Sequence, residues 1–296
     1  MDDILLDHLA SITKKAEYKA AALLQVAERN FVIGLNTLRP RVLVLGGTGE
    51  GAQLAARLSE RVDLTVISSL AGRVSEPRLP QGLVRVGGFG GLEALVSYLV
   101  NEEIKVVIDA AHPFAAKISR NAEAACRRTG LPFIALLRPP WRRIAGDRWH
   151  EVPDFQSASE FVDKKMGRVF LSIGRQELGS FSECSNAWFL VRAIEEPTEC
   201  LPPHRRVLLQ RGPFEFNEEL QLLRDHSINC LVSKNSGGPA TYTKIEAARS
   251  LDIPVVMIKR PIKHTVQPVE TVEDAIAELD YLIHSASGVP DGLVGM

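Results

Sequence analysis

From Arg41 onward, strand-length runs of Val, Ile and Leu alternate with stretches in which apolar residues recur every three or four positions. Continuous apolar runs read as strands buried on both faces, and the amphipathic stretches between them read as the crossover helices that parallel strands need. The pattern predicts strands over 41–46, 62–67, 83–86, 104–109 and 133–137, with helices near 50–60, 91–101 and 114–129. At Arg138-Pro139-Pro140-Trp141-Arg142-Arg143 two prolines disfavour helix and strand alike, which places a crossing between units near 140. A second series then begins, with strands near 149–152, 168–173, 187–194, 206–210, 229–233 and 254–259. Its helices are expected near 154–165, 175–182, 215–226, 241–250 and 272–283. The fold class that follows is α/β: two Rossmann-like domains with mainly parallel sheets and flanking helices, over 41–140 and 141–284. Residues 1–40 carry helically spaced Leu5, Leu9, Ile12, Ala16 and Leu23 among lysines and read as a helical or disordered extension; 285–296 read as a frayed tail.

Composition narrows the classes of function. Lys plus Arg number 35 against 36 Asp plus Glu, so there is no overall attraction for nucleic acid or an anionic membrane, and any basic site must be local. The apolar runs are far shorter than the ~20 residues that span a bilayer, and the N-terminus has no continuous apolar segment of a secretory signal, so a cytoplasmic protein is expected. Cys126, Cys184, Cys200 and Cys230 form no C-x-x-C pair; they read as reduced thiols, with no metal site.

The candidate chemistry lies where predicted strands end. Arg41–Leu45 runs into Gly46-Gly47-Thr48-Gly49-Glu50-Gly51-Ala52, a Gly-x-Gly-x-x-Ala turn between a strand and a helix. Such a turn lets backbone N–H groups approach a pyrophosphate at the positive end of the helix, and the Thr48 hydroxyl is a further candidate donor. At the end of the second strand, Ile67-Ser68-Ser69-Leu70-Ala71-Gly72-Arg73 lacks the carboxylate that binds an NAD ribose. Its two hydroxyls and Arg73 instead suit a 2′-phosphate, which favours NADP over NAD; a solvated surface arginine is the alternative for Arg73. Gly87-Gly88-Phe89-Gly90-Gly91 is either a loop whose backbone approaches a flat group or a plain turn. Asp109-Ala110-Ala111-His112-Pro113-Phe114-Ala115 puts His112 at a strand's carboxyl end, as an active-site group or as part of a helix boundary.

No Tyr is followed four residues later by Lys, since Tyr98 meets Glu102 and Tyr242 meets Glu246. P-loop, H-E-x-x-H and G-x-S-x-G motifs are also missing, which leaves hydride chemistry carried by a cofactor. In the second half, Ser233-Lys234-Asn235-Ser236-Gly237-Gly238 closes a strand with a cation and neutral hydrogen-bonding groups, suited to a carboxylate-bearing ligand or cofactor phosphates, or to a capped helix start. Ser172-Ile173-Gly174-Arg175 forms a comparable edge. With Arg138, Arg142, Arg143 and Arg211 these make a locally basic set in a neutral chain.

Five of these motifs in order, Gly46–Glu50, Ser68–Arg73, Gly87–Gly91, Asp109–Ala115 and Ser233–Gly238, resemble the precorrin-6A reductases of cobalamin biosynthesis over about Arg41 to Asp280. Residues 1–40 lie outside the likeness, as a genuine extension or an early start codon, and Ala111 stands where relatives often carry Thr. The resemblance implies NADPH-dependent reduction of one double bond in a metal-free tetrapyrrole polycarboxylate, giving precorrin-6B. It implies that Gly46, Gly47, Thr48, Gly49 and Glu50 hold the pyrophosphate, and that Ser68, Ser69 and Arg73 hold the 2′-phosphate. Gly88, Phe89, Gly90 and His112 would then lie near the nicotinamide. Arg175, Ser233, Asn235, Ser236 and Gly237 would face the substrate, with His112 and Lys234 as candidate proton donors. Cobalt-precorrin-6A reductase and a non-catalytic NADPH sensor are the alternatives.

Overall fold

A computed structural model describes residues 39–72, 79–165 and 167–286. The expected extension and tail, and Arg73, fall outside them, apart from the first two and last two described positions. Strand β1 (Arg41–Leu45) is apolar on both faces from Val42 on, and it takes the centre of the first sheet. It pairs in parallel with β2 (Thr65–Leu70) and β4 (Ile104–Asp109). With β3 (Leu83–Val86) and β5 (Phe133–Ala135) the order is β3-β2-β1-β4-β5, a doubly wound arrangement. Val42 and Val44 pack toward α1 (Gly49–Ser59), while Leu43 and Leu45 pack toward α2 (Leu92–Asn101) and α3 (Ala116–Thr129).

The second sheet has the order β6-β11-β10-β7-β8-β9, every pair parallel. Its strands are β6 (Trp149–Val152), β7 (Arg168–Ser172), β8 (Trp188–Ala193), β9 (Arg205–Leu209), β10 (Cys230–Lys234) and β11 (Val255–Ile258). One face is covered by α4 (Phe155–Lys165) and a 3-10 helix at Arg175–Phe181, the other by α5 (Phe216–Asp225) and α6 (Thr243–Ser250). The α/β class with two parallel sheets is as the residue pattern requires.

Three details differ from the sequence expectation. The second strand runs over Thr65–Leu70 rather than 62–67, so Ser68 and Ser69 are buried ladder residues, not loop residues. Their hydroxyls disguised the strand's end. Residues 175–181 form a 3-10 rather than an α-helix. Helix α7 (Val272–Ala286), expected with the second series, instead buries Val272, Ala275 and Leu279 against the first sheet beside α1. Just before it, Val269 bridges Leu136 in parallel, extending the first sheet beyond β5. The chain therefore crosses between sheets twice, at 136–148 and again at 259–271. Among the described residues, no helix is long and apolar enough to cross a membrane.

Candidate active site

Ligands of open α/β sheets bind outside the carboxyl ends of strands where the strand order reverses. In the first sheet that point lies between β1 and β4, and it carries the glycine turn and the Asp109–Phe114 segment. In the second it lies between β7 and β10, and it carries Gly174-Arg175 and Lys234-Asn235. Phe114 joins the two: it packs against the second sheet's core, 6.1 Å from the Phe155 ring. The His112 ring lies 6.0 Å from it, and Lys234 Nζ lies 5.4 Å from its centroid. The two candidate proton donors, 122 positions apart in number, are thus gathered around one aromatic ring. His112 Nδ1 accepts the Phe114 N–H at 3.2 Å, which leaves the proton of the neutral ring on Nε2.

The glycine turn leaves open space beside its backbone. Gly47 has φ +121, in the region that favours glycine, and a side chain at Gly47 or Gly49 would meet nothing within 4 Å. The amides there are open to a large ligand. Thr48 does not offer its hydroxyl to a phosphate: Oγ1 caps helix α1 by accepting the Gly51 N–H at 3.0 Å and donates to Ala110 O at 2.9 Å. Glu50 reaches away from the turn to pair with Arg138. Its carboxylate is therefore engaged, and only its backbone at the start of α1 faces the turn. Beside the turn, a crevice of about 10 Å³ is lined by Thr48, Glu50, Ala111, Pro113 and Arg138 among others. A larger hollow of about 200 Å³ borders Leu99, Glu103 and Leu131 at the opposite edge of the sheet, away from every candidate group.

At the end of β2, Ser69 Oγ accepts from Arg85 at 3.4 Å, while the buried Ser68 Oγ has no hydrogen-bond partner among the described residues. Arg85 is a candidate that sequence reasoning missed. From β3 it donates to Gly87 O at 2.5 Å and Gly88 O at 2.8 Å, and its guanidinium lies 3.8 Å over the Phe89 ring. Phe89 in turn meets Tyr98 edge-on at 5.1 Å. The aromatic of the Gly88-Phe89-Gly90 segment is therefore an anchor for the loop. A cation at the last inner position of a strand entering two glycines was the available signal.

On the second sheet, Lys234 lies 3.6 Å from Glu177 and Arg175 lies 3.4 Å from Glu195. Ser233 is fully buried, with its hydroxyl turned to Lys234 O at 3.3 Å. Asn235, Ser236 and Gly237 are engaged by the first crossing segment. Asn235 exchanges hydrogen bonds with the Trp141 backbone at 2.8 and 3.0 Å, and Ser236 O accepts from Arg138 at 2.8 Å. The Asn235 side chain, the Ser236 carbonyl and the bare Gly237 backbone thus dock the linker. Beneath this edge lie Lys244, which donates to Ser172 Oγ at 3.1 Å, and the buried Arg192–Glu219 pair at 2.6 Å. No local pattern marked either as part of the site's floor.

Comparison with known proteins covers nearly the whole described chain. The model of the family described as precorrin-6x reductase CbiJ/CobK matches residues 41–280. The chain is 47% identical over 238 residues to a precorrin-6A reductase from Rhodococcus erythropolis, covering 80% of this chain and 96% of that protein. It is 25% identical over 232 residues to a cobalt-precorrin-6A reductase from Priestia megaterium, covering 74% of this chain and 90% of that protein. A solved structure of CobK precorrin-6A reductase aligns with a TM-score of 0.78 at 41% identity, covering 82% of this chain and 97% of that one.

Proposed function

This chain belongs to the precorrin-6x reductase CbiJ/CobK family, and on that premise we propose that NADPH is its hydride donor and that precorrin-6A lies between the two sheets. It is an oxidoreductase acting on a CH–CH bond in cobalamin biosynthesis, and a nicotinamide cofactor goes with that chemistry. The observation that carries the reading is the meeting of His112 and Lys234 around Phe114, where the ligand edges of both sheets face each other.

The residues present fit a phosphorylated dinucleotide. The amides from Gly47 to Glu50 approach the pyrophosphate at the start of α1, with Gly47 and Gly49 leaving the room; the Gly46 N–H is taken by Ser69 O at 2.9 Å and holds the turn to β2 instead. Ser69 and Arg73 receive the 2′-phosphate, helped by Arg85 beside Ser69, whereas the Ser68 hydroxyl is sealed within the sheet and takes no part. The Gly88–Gly90 loop, braced by Phe89, and His112 border the nicotinamide half. When bound, that group supplies the hydride. Arg175 and Lys234 hold carboxylate arms of the macrocycle, exchanging their present partners Glu195 and Glu177 for the substrate's acids. His112 or Lys234 delivers the proton that completes the reduction. A ring already electrophilic at carbon needs alignment more than strong acid, which suits a site of clamped loops. The metal-free substrate is favoured by the higher identity to precorrin-6A than to cobalt-precorrin-6A reductases.

The test is turnover. Purified protein with precorrin-6A should consume NADPH in preference to NADH and yield a product heavier by one hydride and one proton. Nucleotide binding without turnover of that macrocycle would overturn the choice of substrate, and turnover of the cobalt-bound form would then replace it.

A further inference from the structure

The segment leaving β11 brings two titratable residues into the first sheet. Lys263, 3% exposed, donates from Nζ to Ala111 O at 2.9 Å and lies 3.5 Å from Asp109 Oδ2. Asp109, 0% exposed at the end of β4, accepts the Ala111 N–H on Oδ1 at 2.9 Å. His264 follows, its Nε2 3.4 Å from Asp109 Oδ2 and its ring 5.6 Å from Phe133. Burial lowers the His264 pKa, Asp109 opposes the shift and Lys263 adds to it. Thr265 then closes the clip through its amide and hydroxyl to Glu123 on α3.

This cluster holds the backbone immediately before His112. Thr48 from the glycine turn binds Ala110 O, Lys263 from the crossing segment binds Ala111 O, and Asp109 closes the turn from within. Stability alone is a poor explanation for it. A buried ion pair often does no better than apolar residues of the same volume, and here Asp109 Oδ2 receives no hydrogen bond among the described residues. What the pair does provide is a fixed path for 109–114. Misplacement of a reacting group by ~1 Å can lower a rate about a hundredfold.

We propose that Lys263, paired with Asp109, is a positioning residue for the reduction, locking the 109–114 turn so that the His112 ring is presented to the reacting edge. The inference rests on the reading above that His112 borders the nicotinamide and substrate. It adds a residue from the far end of the chain, acting through the loop and touching neither ligand.

The experiment uses Lys263→Met, the double variant Asp109→Asn/Lys263→Met, which buries no unpaired charge, and His112→Ala alone and combined with Lys263→Met. Folding is followed by circular dichroism, NADPH affinity by calorimetry, kcat and KM with precorrin-6A, and the His112 tautomer by imidazole nitrogen NMR. At least one Lys263 variant should fold and keep NADPH affinity within about twofold, while kcat falls about tenfold or more. Its His112 signals should change from a single Nε2–H tautomer to a mixture. In the His112→Ala background the further loss from Lys263→Met should shrink to less than about twofold, as expected of residues acting as one unit. The proposal is overturned if kcat of the folded variant stays near that of the parent, if the His112 signals do not change, if the loss is undiminished without His112, or if no Lys263 variant folds. A parent-like rate for His112→Ala alone would overturn the role given to His112 and the proposal with it, and is distinguishable from the other failures.

Discussion

Lys244 is buried beneath the carboxyl edge of the second sheet, and burial pushes its pKa down to about 7 from 10.5, with Glu219 opposing and Arg192 and Lys234 adding to the shift. Because the folded value lies below the unfolded one, the unfolded chain binds the extra proton between about 7 and 10.5, and stability rises with pH across that window. The gain is lost as pH falls through the folded pKa. The slope is about 1.4 kcal/mol per pH unit at most. Thermal melts of the parent and Lys244→Met should therefore show the parent gaining on the variant between roughly pH 6 and pH 9, and parallel curves would contradict the assignment. Arg85 belongs at the same scale: Arg85→Ala removes the donors to Gly87 O and Gly88 O and should weaken NADPH binding about tenfold by calorimetry, a loss of roughly 1 kcal/mol or a little more. Sequence reading reached the neighbouring Ser68 and Ser69 but misjudged their setting. Hydroxyls in a strand look like loop residues until both faces are known to be covered.

Local pattern was most informative at the level of elements. The strand-turn-helix at 41–59 forms where expected because apolar periodicity changes from strand to helix at glycines, with Thr48 as the cap. Thr48→Ala should cost about 1–2 kcal/mol in denaturant unfolding and also loosen Ala110, since the hydroxyl serves both. Gly237 has a different constraint. With φ +64, a Cβ there would lie 2.1 Å from Pro139 O and 2.4 Å from an Arg260 guanidinium nitrogen. Gly237→Ala should therefore destabilise by about 2 kcal/mol or more, because backbone must move on the crossing segment. An unchanged unfolding midpoint would show that the two segments do not press together as described. The motif 233–238 was legible as special, yet its docking to 138–141 was not. A glycine demanded by another segment's approach looks in sequence like one demanded by its own turn.

Across the whole molecule, the two crossings stitch the sheets into one unit. Arg260 donates to Asn235 O, Arg138 O and Pro139 O, while Arg138 connects Ser236 O to Glu50. The only tryptophans, Trp141, Trp149 and Trp188, lie in or beside the second sheet, so their fluorescence reports that half, whereas far-ultraviolet circular dichroism reports both. Denaturation followed by the two probes should give coincident midpoints, and NADPH bound to the first sheet should shift both equally. Two separated transitions would mean that the halves unfold independently despite the crossings. The order of strands and helices, the α/β class and the turns able to meet an anion were determined by the chain itself, because apolar period and glycine placement are local. Which sheet α7 covers, that Glu50 meets Arg138, and that Lys263 holds Ala111 from 152 residues away were decided by tertiary structure alone. Such partners are selected by burial and geometry that exist only once both crossings are made, and no periodicity along the chain encodes them.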